Sequence, residues 1–221
     1  MAEEGLTSGI DASKIQSSMD EVQQIYDELA RKFKTKLEEF IGGMSGKWRG
    51  ENAKKFFQSF SQRINEFFEE AGGINGAYAS IINWMNYNGN QFLAIDQSSH
   101  AQFNQQFHKT DIVLDVSSIL GDGNIIGMTP AEAKDYAKNE LNEAINGIQP
   151  YIERTISVAS TCGFLNQEII SNLTNSLNNI TATMRDNFNN YFVNQISAGI
   201  DANADAYIAA SQAAAEGANA R

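Results

Sequence analysis

The residues able to do covalent or metal chemistry are few in this chain. Two histidines, His100 and His108, and one cysteine, Cys162, make up its imidazole and thiol groups. A zinc site needs three or four such ligands converging at short spacing, and neither histidine has a cysteine or a suitable carboxylate arrangement beside it. Asp111 and Asp115, in DIVLDV, form one acid pair four residues apart, too few oxygens to enclose a cation. The glycine-rich LGDGNIIG, residues 120–127, lacks the lysine of a phosphate-cradling loop. Cys162 would act as a nucleophile only beside an oriented base, and nothing in the sequence orients one. Alone, it forms no internal disulfide and reads as a small apolar packing residue. These patterns argue against an enzyme and call for no catalytic residue, cofactor or metal.

A different chemistry, that of recognition, is concentrated in FIGGMSGKWRGENAKKFF, residues 40–57. Gly42, Gly43, Gly46 and Gly50 would each cost about 1 kcal/mol in a helix interior, so the stretch predicts a chain reversal. Trp48 in such a reversal brings a large apolar surface to bury and an indole N–H that needs an acceptor. Two readings of it stay open: a cover for the end of a helical core, and part of a surface that a partner recognises. Arg49 is expected to be exposed, and Gly50 to let the next helix start close to the turn.

The elements that position this turn follow from hydrophobic periodicity. Ile15, Met19, Val22, Tyr26, Leu29, Phe33, Leu37 and Phe40 recur every three or four residues and predict a helix over about 11–42, with Asp11 as N-cap and the glycines as its end. A second pattern, from Ala53 through Phe57, Phe60, Ile64, Phe67, Ile74 and Ile81, continues to about 87, with a break at Gly72 and Gly73. Residues 91–128 form a polar connector; its apolar run Ile112–Leu120 fits a short helix or an extended packed segment. Thr129, Pro130 and Glu132 spell a capping box for a third helix to about 159, kinked at Pro150. A fourth follows the turn at Cys162-Gly163-Phe164, from about 165, and frays after about Gln212. The expected fold is all-α: two long antiparallel helical hairpins, 8–90 and 129–215, packed as a four-helix bundle because neither buries its apolar stripe alone. Phe56, Phe57, Phe67 and Phe68 occupy both sides of the second helix and predict some leftover apolar surface.

Composition narrows the partners. A net charge of −11 disfavours nucleic acid and docking on an anionic membrane. No run approaches the roughly 18 apolar residues of a membrane span. The start, MAEEGLTSGID, is acidic and lacks the apolar core of a Sec-type signal peptide. Two placements remain: the cytoplasm, or export by a machine that reads no such leader.

A Trp-any-Gly turn between two amphipathic helices of this length resembles the WXG superfamily, the early-secreted-antigen-like proteins of type VII secretion. Residues 8–90, with Trp48, Arg49 and Gly50 at the motif, look like one whole member. Residues 129–215 resemble a second, degenerate unit in which Phe164 stands where the tryptophan would be. Family members pair as antiparallel hairpins, so the resemblance implies a pseudo-dimer within one polypeptide, monomeric in solution. It also implies export from a Gram-positive bacterium as a virulence or interbacterial factor. The partners implied are the type VII secretion ATPase and a cognate secreted protein. The family's export signal, a tyrosine with an acid four positions later, is matched by Tyr136 and Glu140, although these lie early in the third helix rather than after a hairpin. A cytoplasmic adaptor or chaperone for a larger toxin is the alternative. A membrane-active toxin using 112–128 as an insertion tongue is a third, disfavoured by Asp115 and Asp122.

Overall fold

The computed structural model describes residues 8–69, 73–96, 102–120 and 125–219. Gly72, His100, Asp122 and the first seven residues lie outside them. The chain is predominantly helical, 80% of it. Its elements are α1 (Ala12–Met44), β1 (Trp48–Arg49), α2 (Glu51–Glu69), α3 (Ile74–Ile95), α4 (Val116–Leu120), β2 (Gly127–Met128), α5 (Pro130–Asn146), α6 (Gln149–Ser160), α7 (Gln167–Phe188), a π-helical stretch Asn189–Ile196 and α8 (Ser197–Asn219).

Local chemistry accounts for most of these boundaries and corrects several expected ones. Asp11 caps α1 as expected: its Oδ1 accepts from the Lys14 N–H at 3.1 Å and from the Ser13 hydroxyl at 2.7 Å. These bonds, that to Ser13 foremost, hold the carboxyl below its ordinary pKa. The capping box at Thr129 does not form, because the Thr129 side chain makes no cap bond and its hydroxyl turns to the Lys47 carbonyl at 3.3 Å. Pro150 does more than kink a helix. It stands in the first turn of α6, after a break at Gly147-Ile148, where its missing N–H costs nothing. The connector's apolar run is irregular over 112–115, where the Val116 N–H turns back to the Leu114 carbonyl at 3.0 Å, and helical over Val116–Leu120. Asp115 caps that short helix through the Ser118 N–H at 3.1 Å. The alanine-rich end stays helical to Asn219 rather than fraying at Gln212, in keeping with alanine's high helix propensity.

The chain divides into two compact units, each assembled from three segments. The first comprises residues up to 31, 67–111 and 148–184. Its core holds Ile15, Met19, Val22, Tyr26, Ile74, Tyr78, Ile82, Met85, Ile152, Leu173 and Leu177. The second comprises 32–66, 112–147 and 185 onward, and its core is richer in aromatics. Phe40 meets Phe57 and Phe60 edge-on at 5.7 and 5.8 Å, and Phe33 meets Phe188 at 5.2 Å. There α5 packs on α8, and Lys134 binds Asp205 at 2.9 Å. The leftover phenylalanine surface is not found. Phe57, Phe67 and Phe68 are buried, and half-buried Phe56 lies where a Cβ on Gly199 would be, 2.7 Å from its ring.

Within the first unit, the Thr155 hydroxyl gives its proton to the Tyr151 carbonyl at 2.9 Å, so at 3.0 Å the Tyr78 hydroxyl is the donor to Thr155. Burial raises the Tyr78 pKa from 10.0 to about 12. The unfolded chain therefore loses this proton first, and the stabilisation, complete below pH 10, disappears as pH rises through 10 to about 12. Over that interval stability should fall by about 3 kcal/mol through this group. Urea unfolding of the wild type and Tyr78→Phe between pH 9 and about 12 checks it: the variant should show the shallower alkaline loss, and equal slopes would exclude the assignment.

Candidate functional site

The Trp-Arg-Gly turn lies in the second unit. The helix before it does not stop at the glycines as expected, for α1 runs through Gly42 and Gly43 to Met44. Gly43 there leaves room for a contact rather than ending the helix. A Cβ on it would collide with the hydroxyl and ring of Tyr136 from α5. The last turn is closed by the Ser45 N–H, shared between the Ile41 and Gly42 carbonyls, and by the Lys47 N–H to Met44 at 2.9 Å. Arg49 is exposed, yet its Nε donates to the Ser45 carbonyl at 2.6 Å, placing a cation where the helix end leaves carbonyls unsatisfied. Gly50 adopts φ +112°, open to glycine and strained for any side chain, and its carbonyl accepts the first bond of α2 from Lys54 at 3.1 Å.

Trp48 is fully buried, with Phe56 at 5.2 Å and Phe57 at 5.8 Å between ring centroids. The tryptophan therefore covers core. Its indole N–H has no hydrogen-bond partner among the described residues; a buried donor left unpaired costs about 1–3 kcal/mol. The backbone is fixed from the other side by β2: Trp48 pairs with Met128 and Arg49 with Gly127, antiparallel, and the Thr129 N–H reaches the Lys47 carbonyl at 2.8 Å. Ile125 and Ile126, just before β2, are exposed, and the Ile126 side chain stands 3.4 Å from where a Cβ on Gly50 would be.

The structure brings Tyr136 to this turn. Its ring stacks on Phe40 at 6.2 Å, and the Lys47 ammonium sits 4.6 Å from its centroid. Its hydroxyl makes a long bond of 3.4 Å to the Glu39 carbonyl. Burial first, then the charges of Glu140 and Glu39, push its pKa up. Glu140, half-buried one helical turn on, is thus close enough to act on the ring's hydroxyl. Tyr136 is a packing residue of α5 as well as the export-signal candidate.

The second turn, in the first unit, is built on the same backbone scheme. Phe164 bridges Ile10 in antiparallel sense; the Asp11 N–H donates to Gly163 at 2.7 Å and the Leu165 N–H to Gly9 at 3.0 Å. In each unit the residue ahead of a helix N-cap, Ile10 or Met128, faces the turn aromatic, Phe164 or Trp48. In each, the N-cap N–H, from Asp11 or Thr129, bonds the residue before that aromatic. Phe164 is buried against Trp84 at 5.2 Å. The glycine differs: Gly163, at φ +96°, precedes the aromatic, and a Cβ there would lie 2.7 Å from the Asp11 carbonyl oxygen. Cys162 is buried, which raises its thiol pKa and makes the reactive thiolate scarce.

Among the described residues no group of three or more His, Cys, Asp or Glu side chains could hold a metal ion. His108 is exposed and engaged through its backbone N–H by Gln23 at 2.9 Å. No helix is long and apolar enough to cross a membrane among those residues. No family model, curated protein or solved structure matches the chain.

Two substitutions separate backbone from side-chain contributions at the turn. Gly50→Ala should lower stability by about 1–3 kcal/mol through strain at positive φ. Trp48→Ala should cost about 3–5 kcal/mol, whereas Trp48→Phe, which removes the N–H that no described residue accepts, should cost less than about 1.5 kcal/mol. Urea midpoints report all three, and a Phe variant as damaged as the Ala variant would mean that the indole N–H is satisfied in solution.

Proposed function

We propose that this chain is a non-enzymatic substrate or export partner of a type VII secretion system, made of two WXG-type hairpins fused in one polypeptide. The observation that carries the reading is the matched docking of the two turns. The Trp48 turn pairs with the segment entering α5, and the Phe164 turn with the segment entering α1. Each hairpin thus closes its turn on the start of the other, as two antiparallel hairpins of a pair would, and a four-helix pseudo-dimer satisfies that pattern within one chain. Trp48, Arg49 and Gly50 form the motif. Trp48 acts by fixing the turn from inside, and Arg49 with the exposed Ile125 and Ile126 offers the surface that the secretion ATPase or a cognate secreted protein would meet. Tyr136 and Glu140, brought beside the same turn, are the export-signal candidate. The chain would be exported by the type VII machinery and act outside the cell as a virulence or interbacterial factor.

Expression in a Gram-positive host with an intact type VII system, and in the same host lacking its ATPase, tests this directly. The protein should reach the medium only with the ATPase. Arg49→Ala and Glu140→Gln, which leave the core intact, should reduce export at unchanged cellular levels. Retention inside the cell with the ATPase present would reject the secretion reading in favour of a cytoplasmic adaptor. Light scattering of the purified chain should give one copy, 24.3 kDa; a dimer would overturn the self-paired arrangement.

A further inference from the structure

Residues 102–111 of the first unit run extended without a backbone ladder, yet their main chain is satisfied at almost regular steps by side chains. The Asn90 amide donates to the Phe103 carbonyl at 2.8 Å and accepts from the Phe103 N–H at 2.8 Å. One helical turn earlier on α3, Asn86 does the same for Gln105, at 2.7 and 3.1 Å. On α1, Gln23 grips His108 at 2.8 and 2.9 Å. The Tyr26 hydroxyl accepts the Thr110 N–H at 2.7 Å. A carboxamide offers an N–H and a C=O side by side, so each fork presents what the edge of a neighbouring β-strand would present.

The side chains alternate accordingly. Asn104 and Gln106 point to solvent, while Phe103 is buried and Gln105 and Phe107 are half-buried. Phe103 lies against bare backbone: a Cβ on Gly89 would come within 2.6 Å of its ring. Phe107 meets Tyr26 edge-on at 4.7 Å. Recognition thus combines main-chain bonds, which every polypeptide can make, with two aromatic anchors four residues apart and two polar side-chain contacts, Gln105 with Gln16 at 3.0 Å and Lys109 with Glu69 at 2.7 Å. Strand addition to a sheet edge uses the same division between main-chain affinity and side-chain pockets.

We propose that this face of α1 and α3 is a receptor for an extended polypeptide segment of another protein, with an aromatic at each of two positions four apart, a hydrogen-bond acceptor midway to meet Gln16, and free choice at the two solvent-facing positions. Residues 102–111 are its intramolecular occupant, which a client segment displaces. The proposal stands independently of the secretion reading.

The test uses an end-capped fluorescent peptide of residues 102–111 and the full-length chain carrying Phe103→Ala and Phe107→Ala, which loosens the occupant and leaves the receptor face unchanged. By anisotropy the peptide should bind this variant at least about tenfold more tightly than the unaltered chain, whose own segment competes at high effective concentration. N-methylation at Phe103 and Gln105 of the peptide should weaken binding by at least about tenfold, as should Asn86→Ala with Asn90→Ala in the protein. Alanine at peptide positions 104 and 106 should leave it unchanged. If the double variant loses its helical circular dichroism, Phe103→Ala alone carries the same comparison. Absence of binding to a folded variant, or binding indifferent to N-methylation, overturns the proposal. So does concentration-dependent dimerisation of the unaltered chain without peptide binding, which would assign the face to a second copy.

Discussion

Two backbone hydrogen bonds, from the Asp11 N–H to Gly163 and from the Thr129 N–H to Lys47, tie each chain reversal to the start of a helix distant in sequence. The donors belong to N-cap residues, whose amides have no partner within their own helices. The acceptors belong to tight turns, whose carbonyls would otherwise face water or stay unsatisfied. Each bond serves both deficits and sets the register that puts an aromatic, Phe164 or Trp48, into a core. Arg49 on the Ser45 carbonyl and positive φ at Gly50 and Gly163 follow from the need to reverse the chain within that register.

The glycines are best understood through contact. Gly43 sits inside α1 at an intrinsic helix cost, and what offsets it is the Tyr136 ring laid on the bare backbone. Gly89 admits Phe103 to α3, and Gly199 admits Phe56 to α8, in the same way. These three helical glycines therefore mark where an aromatic from elsewhere approaches closely. A sequence reading that treats glycine as a helix terminator places the end of α1 too early for this reason.

Polar side chains divide into two populations that composition cannot distinguish. Most of the Asn and Gln residues face water. Asn86, Asn90 and Gln23 instead serve as peptide surrogates for a segment that has neither helix nor sheet partners. Without them the N–H and C=O groups of 103, 105 and 108 would depend on solvent, and Phe103 could not be buried without stranding its own backbone. The indole of Trp48 marks the opposite case, a buried donor without an acceptor among the described residues, its burial favoured by apolar contact.

Sequence by itself determined what is local. The three-to-four-residue apolar spacing specifies helices, Asp11 specifies the start of α1, Pro130 that of α5, and the glycine cluster with Trp48 specifies a reversal, because each signal acts within one or two turns of chain. That Phe164 occupies in its turn the register Trp48 has in the other was visible only in the fold. Tertiary structure decided what depends on residues far apart. Gln23 grips a residue 85 positions away, and the Tyr136 hydroxyl bonds a carbonyl 97 positions away. The Thr129 hydroxyl turns from its own helix to Lys47, 82 positions away. Such bonds leave no periodicity in the sequence, since any Asn, Gln, Tyr or Thr on a helix surface could make or forgo them. Only the folded chain fixes which of them have a backbone group within hydrogen-bonding distance.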